Sequence, residues 1–310
     1  MPPQPEANEH SQSFDYSLPP AESGEPHGLP KRFRPTAFTG NQAGSGIVPI
    51  GLNIWQPDDQ AAKAAALEGL KTGYRILDTA AVYANEKGVG LAIREAMDSL
   101  NLQRPEIFVS AKLWNNSHGY DMALKACEFS LERLGLDWLD MYQIHWPAPS
   151  RELYLETWEA LVRLKAEGLV KSIGVSNFLP EHIDKLIEAT GEKPVLNQIE
   201  IHPHFQQYDL CRAMERRGIK VEAWAPLGGS SGLSDPVFLK LAHKYGKTPA
   251  QVVLRWHLDS GRTAIPKSTM PSRIKENFNI FDFSLDQEDM RQIALLDCGR
   301  RMGPDPLSFN

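Results

Sequence analysis

Cysteine is scarce in this sequence: Cys127, Cys211 and Cys298 are the only three in 310 residues, far apart and without Cys-x-x-Cys spacing. So sparse and odd a set argues against a disulfide framework and for a reducing, cytoplasmic setting. No apolar run approaches the roughly 18 residues of a membrane span, so no membrane partner is expected. Positive charge is short too: 33 Lys and Arg face 39 Asp and Glu, for a net charge of −6. The one basic cluster, Lys31, Arg32 and Arg34, reads as a solvated linker, and no nucleic-acid partner is expected. The dinucleotide fingerprint of doubly wound sheets is also lacking. Gly44-Ser45-Gly46 has no third glycine, and Pro49 follows where a helix should open.

With 42% hydrophobic residues the chain can bury a full core in one large domain. Residues 1–36 stand apart, with Pro2, Pro3, Pro5, Pro19, Pro20, Pro26 and Pro30 among few aliphatics. They are expected to form a flexible extension. Their acids, such as Glu6, Glu9 and Asp15, do not suit a basic transit peptide. From 37 to 310 the texture alternates. Short apolar runs at 47–54, 75–78, 107–111, 139–144, 171–175, 195–199, 220–225 and 263–265 read as strands. Helical periods lie between them at 60–72, 88–100, 122–134, 153–167, 180–189, 209–217 and 249–259. Gly73, Gly135, Gly168, Gly191 and Gly218 supply the helix stops. Eight strands in alternation with helices predict an α/β protein, a (β/α)8 TIM barrel. The Gly40–Gly46 stretch is consistent with a hairpin capping the barrel bottom.

A TIM barrel works at the C-terminal ends of its strands. The second strand ends on Asp78 with Tyr83 in the loop beyond; the third reaches Lys112; the fourth reaches His145. Singly these are a helix cap, a rim charge and a buried imidazole; together they form a proton-handling set. A phenol titrates near ~10 in water, and an adjacent ammonium held by a carboxylate lowers that value. The Asp78–Lys112 pair is thus expected to acidify Tyr83, with His145 orienting a substrate oxygen. Such a set polarises a carbonyl and protonates the developing alkoxide. It holds no nucleophile, and a hydride must come from a cofactor. His202 and His204 stand two apart without a carboxylate or cysteine set at ligand spacing, so no metal is expected.

The segments LDTAAVYANE (77–86), Lys112-Leu113-Trp114, IHWP (144–147), KSIGVSNF (171–178), NQIEIHP (197–203) and IPKS…RIKEN (265–277) closely resemble the aldo-keto reductases. The resemblance runs from about Ile47 to Asn277 and implies an NADPH-dependent enzyme reducing aldehydes, aldoses or small ketones. By it Asp78, Tyr83, Lys112 and His145 form the catalytic tetrad. Ser176, Asn177 and Gln198 match the nicotinamide carboxamide contacts, and Trp224 matches the aromatic stacked on that ring. Pro226, Leu227, Gly228 and Ser230 begin the pyrophosphate loop. Lys267, Ser268 and Arg273 match the adenosine 2′-phosphate pocket, and Glu276 and Asn277 the adenine contacts. A planar Arg fork and a Lys point charge suit a phosphate, and Arg273 near the start of the last helix adds that helix's positive end.

The resemblance has departures. Many relatives carry a glycine and a threonine where this chain has Asn53 and Ile54, and the family's stacking aromatic is often Tyr rather than Trp224. Trp55, Trp114 and Trp146 are expected to wall a substrate pocket. The short stretches at 147–153 and after Cys298 predict an open mouth. A monomer is expected. The rival reading is a non-catalytic NADP(H)-binding regulatory protein on the same fold, since fold alone does not fix function.

Overall fold

The computed structural model describes residues 49–55, 58–229 and 231–310, the Ser231 side chain excepted. The 1–36 extension, the boundary at 37, the hairpin expected at 40–46, strand residues 47–48 and Ser230 all lie outside the described residues.

Eight strands form one parallel sheet in sequence order: β1 Leu52–Asn53, β2 Ile76–Asp78, β3 Phe108–Leu113, β4 Leu139–Ile144, β5 Val170–Ser176, β6 Leu196–Glu200, β7 Lys220–Trp224 and β8 Thr263–Ala264. The last strand returns to the first. Parallel bridges join Ile50 to Ala264 and Asn53 to Lys267, and the Gly51 and Asn53 amides donate to Ala264 O at 2.9 Å and Pro266 O at 3.1 Å. The (β/α)8 barrel expected from the alternation is therefore the observed fold. Both faces of the sheet are covered, so every residue of β2 and β6 is buried, the polar Asp78, Asn197, Gln198 and Glu200 included.

The helices lie between and after the strands: α1 Asp59–Thr72, α2 Glu86–Leu100, α3 Tyr120–Leu134, α4 Tyr154–Ala166, α5 Pro180–Thr190, α6 Tyr208–Arg216, α7 Pro236–Tyr245, α8 Pro249–Asp259, α9 Pro271–Phe278 and α10 Gln287–Ala294. The strand and helix boundaries fall within a few residues of the sequence reading. Two helices were not foreseen, α7 and α10. In α7 the apolar face is short, with Phe238, Leu241 and Ala242 buried behind an Asp235 cap. Because α10 follows, the helix carrying Arg273 is α9 and not the last.

Local chemistry explains several ends. Asp58 caps α1 by accepting from the Ala61 amide at 2.8 Å. Gly135 stops α3 at φ 65°, a left-handed conformation that strains residues bearing a Cβ. Packing adds a second glycine demand: a Cβ on Gly90 of α2 would sit 1.9 Å from Leu134 O, so α2 and α3 meet backbone to backbone.

Candidate active site

Asp78 ends β2, fully buried, and its Oδ2 lies 2.5 Å from Lys112 Nζ on β3. Lys112 is itself fully buried, so the ion pair sits inside the barrel. Burial works against the Lys112 charge, but Asp78 and the nearby Tyr83 outweigh it and hold the ammonium above its ordinary value. Asp78 is further gripped by amides. Asn53 Nδ2 donates to Oδ2 at 2.6 Å, and Gln198 Nε2 donates to Oδ1 at 3.1 Å.

Tyr83 closes a short turn, Ala81–Tyr83, just after β2. That loop is stapled down: Thr79 Oγ1 donates to Asn85 Oδ1 at 3.0 Å, and Asn85 Nδ2 to Ile54 O at 2.7 Å. Lys112 Nζ lies 5.6 Å from the Tyr83 ring centre. His145, just past β4, meets the same ring edge-on with centroids 5.9 Å apart. The four expected catalytic residues are thus gathered at the top of β2, β3 and β4. One expectation fails. Burial raises the Tyr83 phenol above 10, and with the Asp78 charge it outweighs Lys112, so the phenol is less acidic than in water. Burial, with Lys112 nearby, also pushes His145 well below 6.5, leaving a neutral imidazole whose Nδ1 has no protein partner.

A cavity of about 1160 Å³ opens above this group. Trp55, Trp114 and Trp146 line it as expected, with Val82 beside Tyr83. So does the C-terminal tail, through Met302, Gly303, Pro304 and Phe309. The expectation of an open mouth is corrected here. Although short, the tail folds over the site: Glu200 accepts from the Met302 and Gly303 amides at 2.6 and 2.9 Å. Phe309 then packs 4.7 Å from Trp146 and 6.0 Å from Trp114, centre to centre.

The profile of the Aldo/keto reductase family matches residues 44–297. An aldo-keto reductase of Mycolicibacterium smegmatis is 46% identical over 267 residues, 86% of this chain and 96% of that protein. Methylglyoxal reductase DkgA of Escherichia coli is 46% identical over 270 residues, again 86% and 96%. The crystal structure of a Gox0644 mutant in complex with NADPH has a TM-score of 0.80 at 46% identity, covering 84% of this chain and 94% of the other. The chain belongs to the aldo/keto reductase family.

The positions carried over for an aldo/keto reductase cofactor fall in two groups. Asn177, Gln198, Trp224, Pro226, Leu227, Lys267, Arg273, Glu276 and Asn277 all line the one cavity. Ser176 and Ser268 are buried behind its wall. Gly228 turns the loop after β7 at φ 64° with His202 against its α-carbon. Near Tyr83 the donors are committed within the protein. Ser176 Oγ donates to Gln198 O at 2.8 Å, Asn177 Nδ2 to His145 O at 3.0 Å, and Trp224 Nε1 to Asn177 Oδ1 at 2.8 Å. At the far end Lys267 and Arg273 are exposed, and neither joins an ion pair among the described residues. Among the described residues no cluster of His, Cys, Asp and Glu is disposed to hold a metal. His202 instead contacts Glu200, Nε2 to Oε1, at 3.0 Å. No helix of the described chain is long and apolar enough to cross a membrane.

Two buried groups were not among the site residues expected from the sequence. Asn53 appeared there only as a departure from the family. Glu222 on β7 accepts from Gln198 Nε2 at 2.8 Å, through the same nitrogen that serves Asp78. Burial, helped by the Asp78 charge, pushes its carboxyl up to about 7. A charged residue inside an apolar strand was the available signal for Glu222.

Proposed function

We propose that this chain is an NADPH-dependent reductase of aldehydes, aldoses or small ketones, with Tyr83 as the proton donor. The observation that carries the reading is one cavity with a proton-handling set at one end and, at the other, two exposed cations that join no ion pair among the described residues. Lys267 and Arg273, the latter in the first turn of α9, suit a 2′-phosphate through charge and a planar fork. That no carboxylate among the described residues pairs with either fits that role. The NADPH complex of the Gox0644 mutant and the name of the DkgA relative support the same reading.

NADPH, when bound, supplies the hydride that a carbonyl carbon must receive. The chain's own residues handle the proton. Tyr83 keeps its proton at neutral pH, because burial raises the phenol, and releases it to the carbonyl oxygen as charge develops there. The Lys112 ammonium stabilises the phenolate left behind. Asp78 holds that ammonium in place and balances its charge. The neutral His145 imidazole carries one N–H and orients the carbonyl oxygen by hydrogen bond. Trp55, Trp114 and Trp146, with Phe309 from the tail, exclude water and hold the organic part of the substrate. A non-catalytic regulator would have no use for an assembled Tyr83–Lys112–Asp78–His145 set at the cavity floor.

The test is NADPH consumption by the purified protein with methylglyoxal and a panel of aldehydes, aldoses and ketones. Turnover of at least one class is expected, and none across the panel sinks the reading. Tyr83→Phe should lower kcat by roughly 10²–10⁴ while NADPH still quenches protein fluorescence. An unchanged kcat would remove Tyr83 as the acid.

A further inference from the structure

Glu222 of β7 stands directly opposite Gln198 of β6 in the strand register, and both side chains are buried. We propose that Glu222 is a positioning residue for the cofactor: with Asp78 it holds both amide N–H groups of Gln198, so that Gln198 shows the cavity an acceptor and takes an N–H of the nicotinamide carboxamide. The inference rests on the NADPH reading and deepens it.

Gln198 reaches across the barrel interior. Its Nε2 donates to Glu222 Oε1 at 2.8 Å on the neighbouring strand and to Asp78 Oδ1 at 3.1 Å on β2. An amide nitrogen carries two N–H groups, so the two carboxyls take both. They also fix which way the amide is turned. Asp78 beside the Lys112 ammonium is an acceptor only, and an amide oxygen turned toward it would meet oxygen with no hydrogen between. Asp78 alone would let the amide pivot about a single bond; the shorter bond to Glu222 removes that freedom. The backbone is held as well, for Gln198 O accepts from Ser176 Oγ at 2.8 Å and from the Asn177 amide at 2.9 Å.

The amide oxygen Oε1 is left to face a ligand, and Gln198 lines the cavity. Among the described residues no donor reaches it, whereas Asn177 Oδ1 at the same end already accepts from Trp224 Nε1 at 2.8 Å. Asp78 joins Gln198 to Lys112, which lies beside Tyr83. With the 2′-phosphate at Lys267 and Arg273, the part of the cofactor that comes to this end is the nicotinamide. The N–H groups of that ring are those of its carboxamide, and an acceptor is what they need. Trp224, two residues beyond Glu222 on the same face of β7, lines the cavity too.

The test compares NADP+ with its 3-acetylpyridine analogue, in which a methyl ketone replaces the carboxamide and no N–H remains. Each is titrated against the full chain by protein fluorescence, so no turnover is needed. The parent should favour NADP+ by roughly five- to tenfold, the worth of one hydrogen bond with its acceptor otherwise unmet. Glu222→Leu keeps bulk and removes the carboxyl. It should weaken NADP+ about fivefold and leave the analogue within about twofold, so that the preference all but disappears. Glu222→Met should do the same, and Glu222→Gln, which keeps an acceptor for Gln198 Nε2, should retain the preference. A merely structural role for Glu222 would weaken the two nucleotides together. A preference that survives in a folded Leu or Met variant, or is lost in the Gln variant, overturns the proposal. So does a parent that binds both nucleotides alike, which leaves the NADPH reading standing. A parent that binds neither overturns that reading as well.

Discussion

The two ends of the cavity are built on opposite plans. At the Tyr83 end the ion pair is buried and matched: Lys112 has Asp78, and Asp78 has amides from Asn53 and Gln198. At the Lys267–Arg273 end the charges face solvent, and no carboxylate of the described chain answers them. A buried ion pair is rigid because desolvation punishes any separation of its partners. An exposed cation costs little to keep and is available to a ligand. Chemistry that needs fixed geometry sits in the first setting; recognition of a mobile anion suits the second.

That contrast can be broken at either end. The largest effect is expected from Lys112→Met, which strands the Asp78 carboxylate in the barrel interior. Removing one partner of a buried pair should cost about 3–5 kcal/mol in urea unfolding. The double variant with Asp78→Asn should regain most of it. A single variant as stable as the parent would mean the pair is not what organises this end.

At the other end stability should be untouched and binding should move. Lys267→Ala with Arg273→Ala is expected to weaken NADPH binding by roughly 10–100-fold, the worth of one or two charge-assisted hydrogen bonds. Added salt should weaken NADPH binding to the parent but hardly alter the variant. Fluorescence titration with NADPH and NADH reads the result. Equal weakening of both nucleotides would exclude a role at the 2′-phosphate.

The smallest effect sharpens the buried end. Glu222 titrates at about 7 against an ordinary 4.5, so folding disfavours its ionised form. Its contribution to stability is complete below the ordinary value and is lost as pH rises through about 7. Glu222→Gln keeps an acceptor for Gln198 and should remove this slope, gaining roughly 1–2 kcal/mol over the parent above neutrality. Parallel stability curves for the two proteins between acid and neutral pH would show that Glu222 is not the group responsible.

Much of the site was legible in the chain itself. Asp78, Lys112 and His145 each stand at or just beyond a strand terminus, and period-two and period-3.6 patterns locate such termini. Tyr83 was legible because its loop is short and fixed by Thr79 and Asn85, both within the same segment. Less could be read of the helices whose apolar faces are short, such as α7 and α10. The tail was misread because its length said nothing of the anchor that Glu200 provides about a hundred residues away.

The sequence by itself determined the alternation of strands and helices, the strand tops that carry the polar residues, and the family. These are local properties, set by the spacing of apolar residues and by short motifs. Only the tertiary structure decided that Asn53 sits beside Asp78 between two strands. It also decided that Gln198 spans Asp78 and Glu222, and that the Tyr83 phenol is held protonated rather than acidified. Those outcomes depend on burial and on through-space distance between segments far apart in the chain, and neither quantity is written in the spacing of residues.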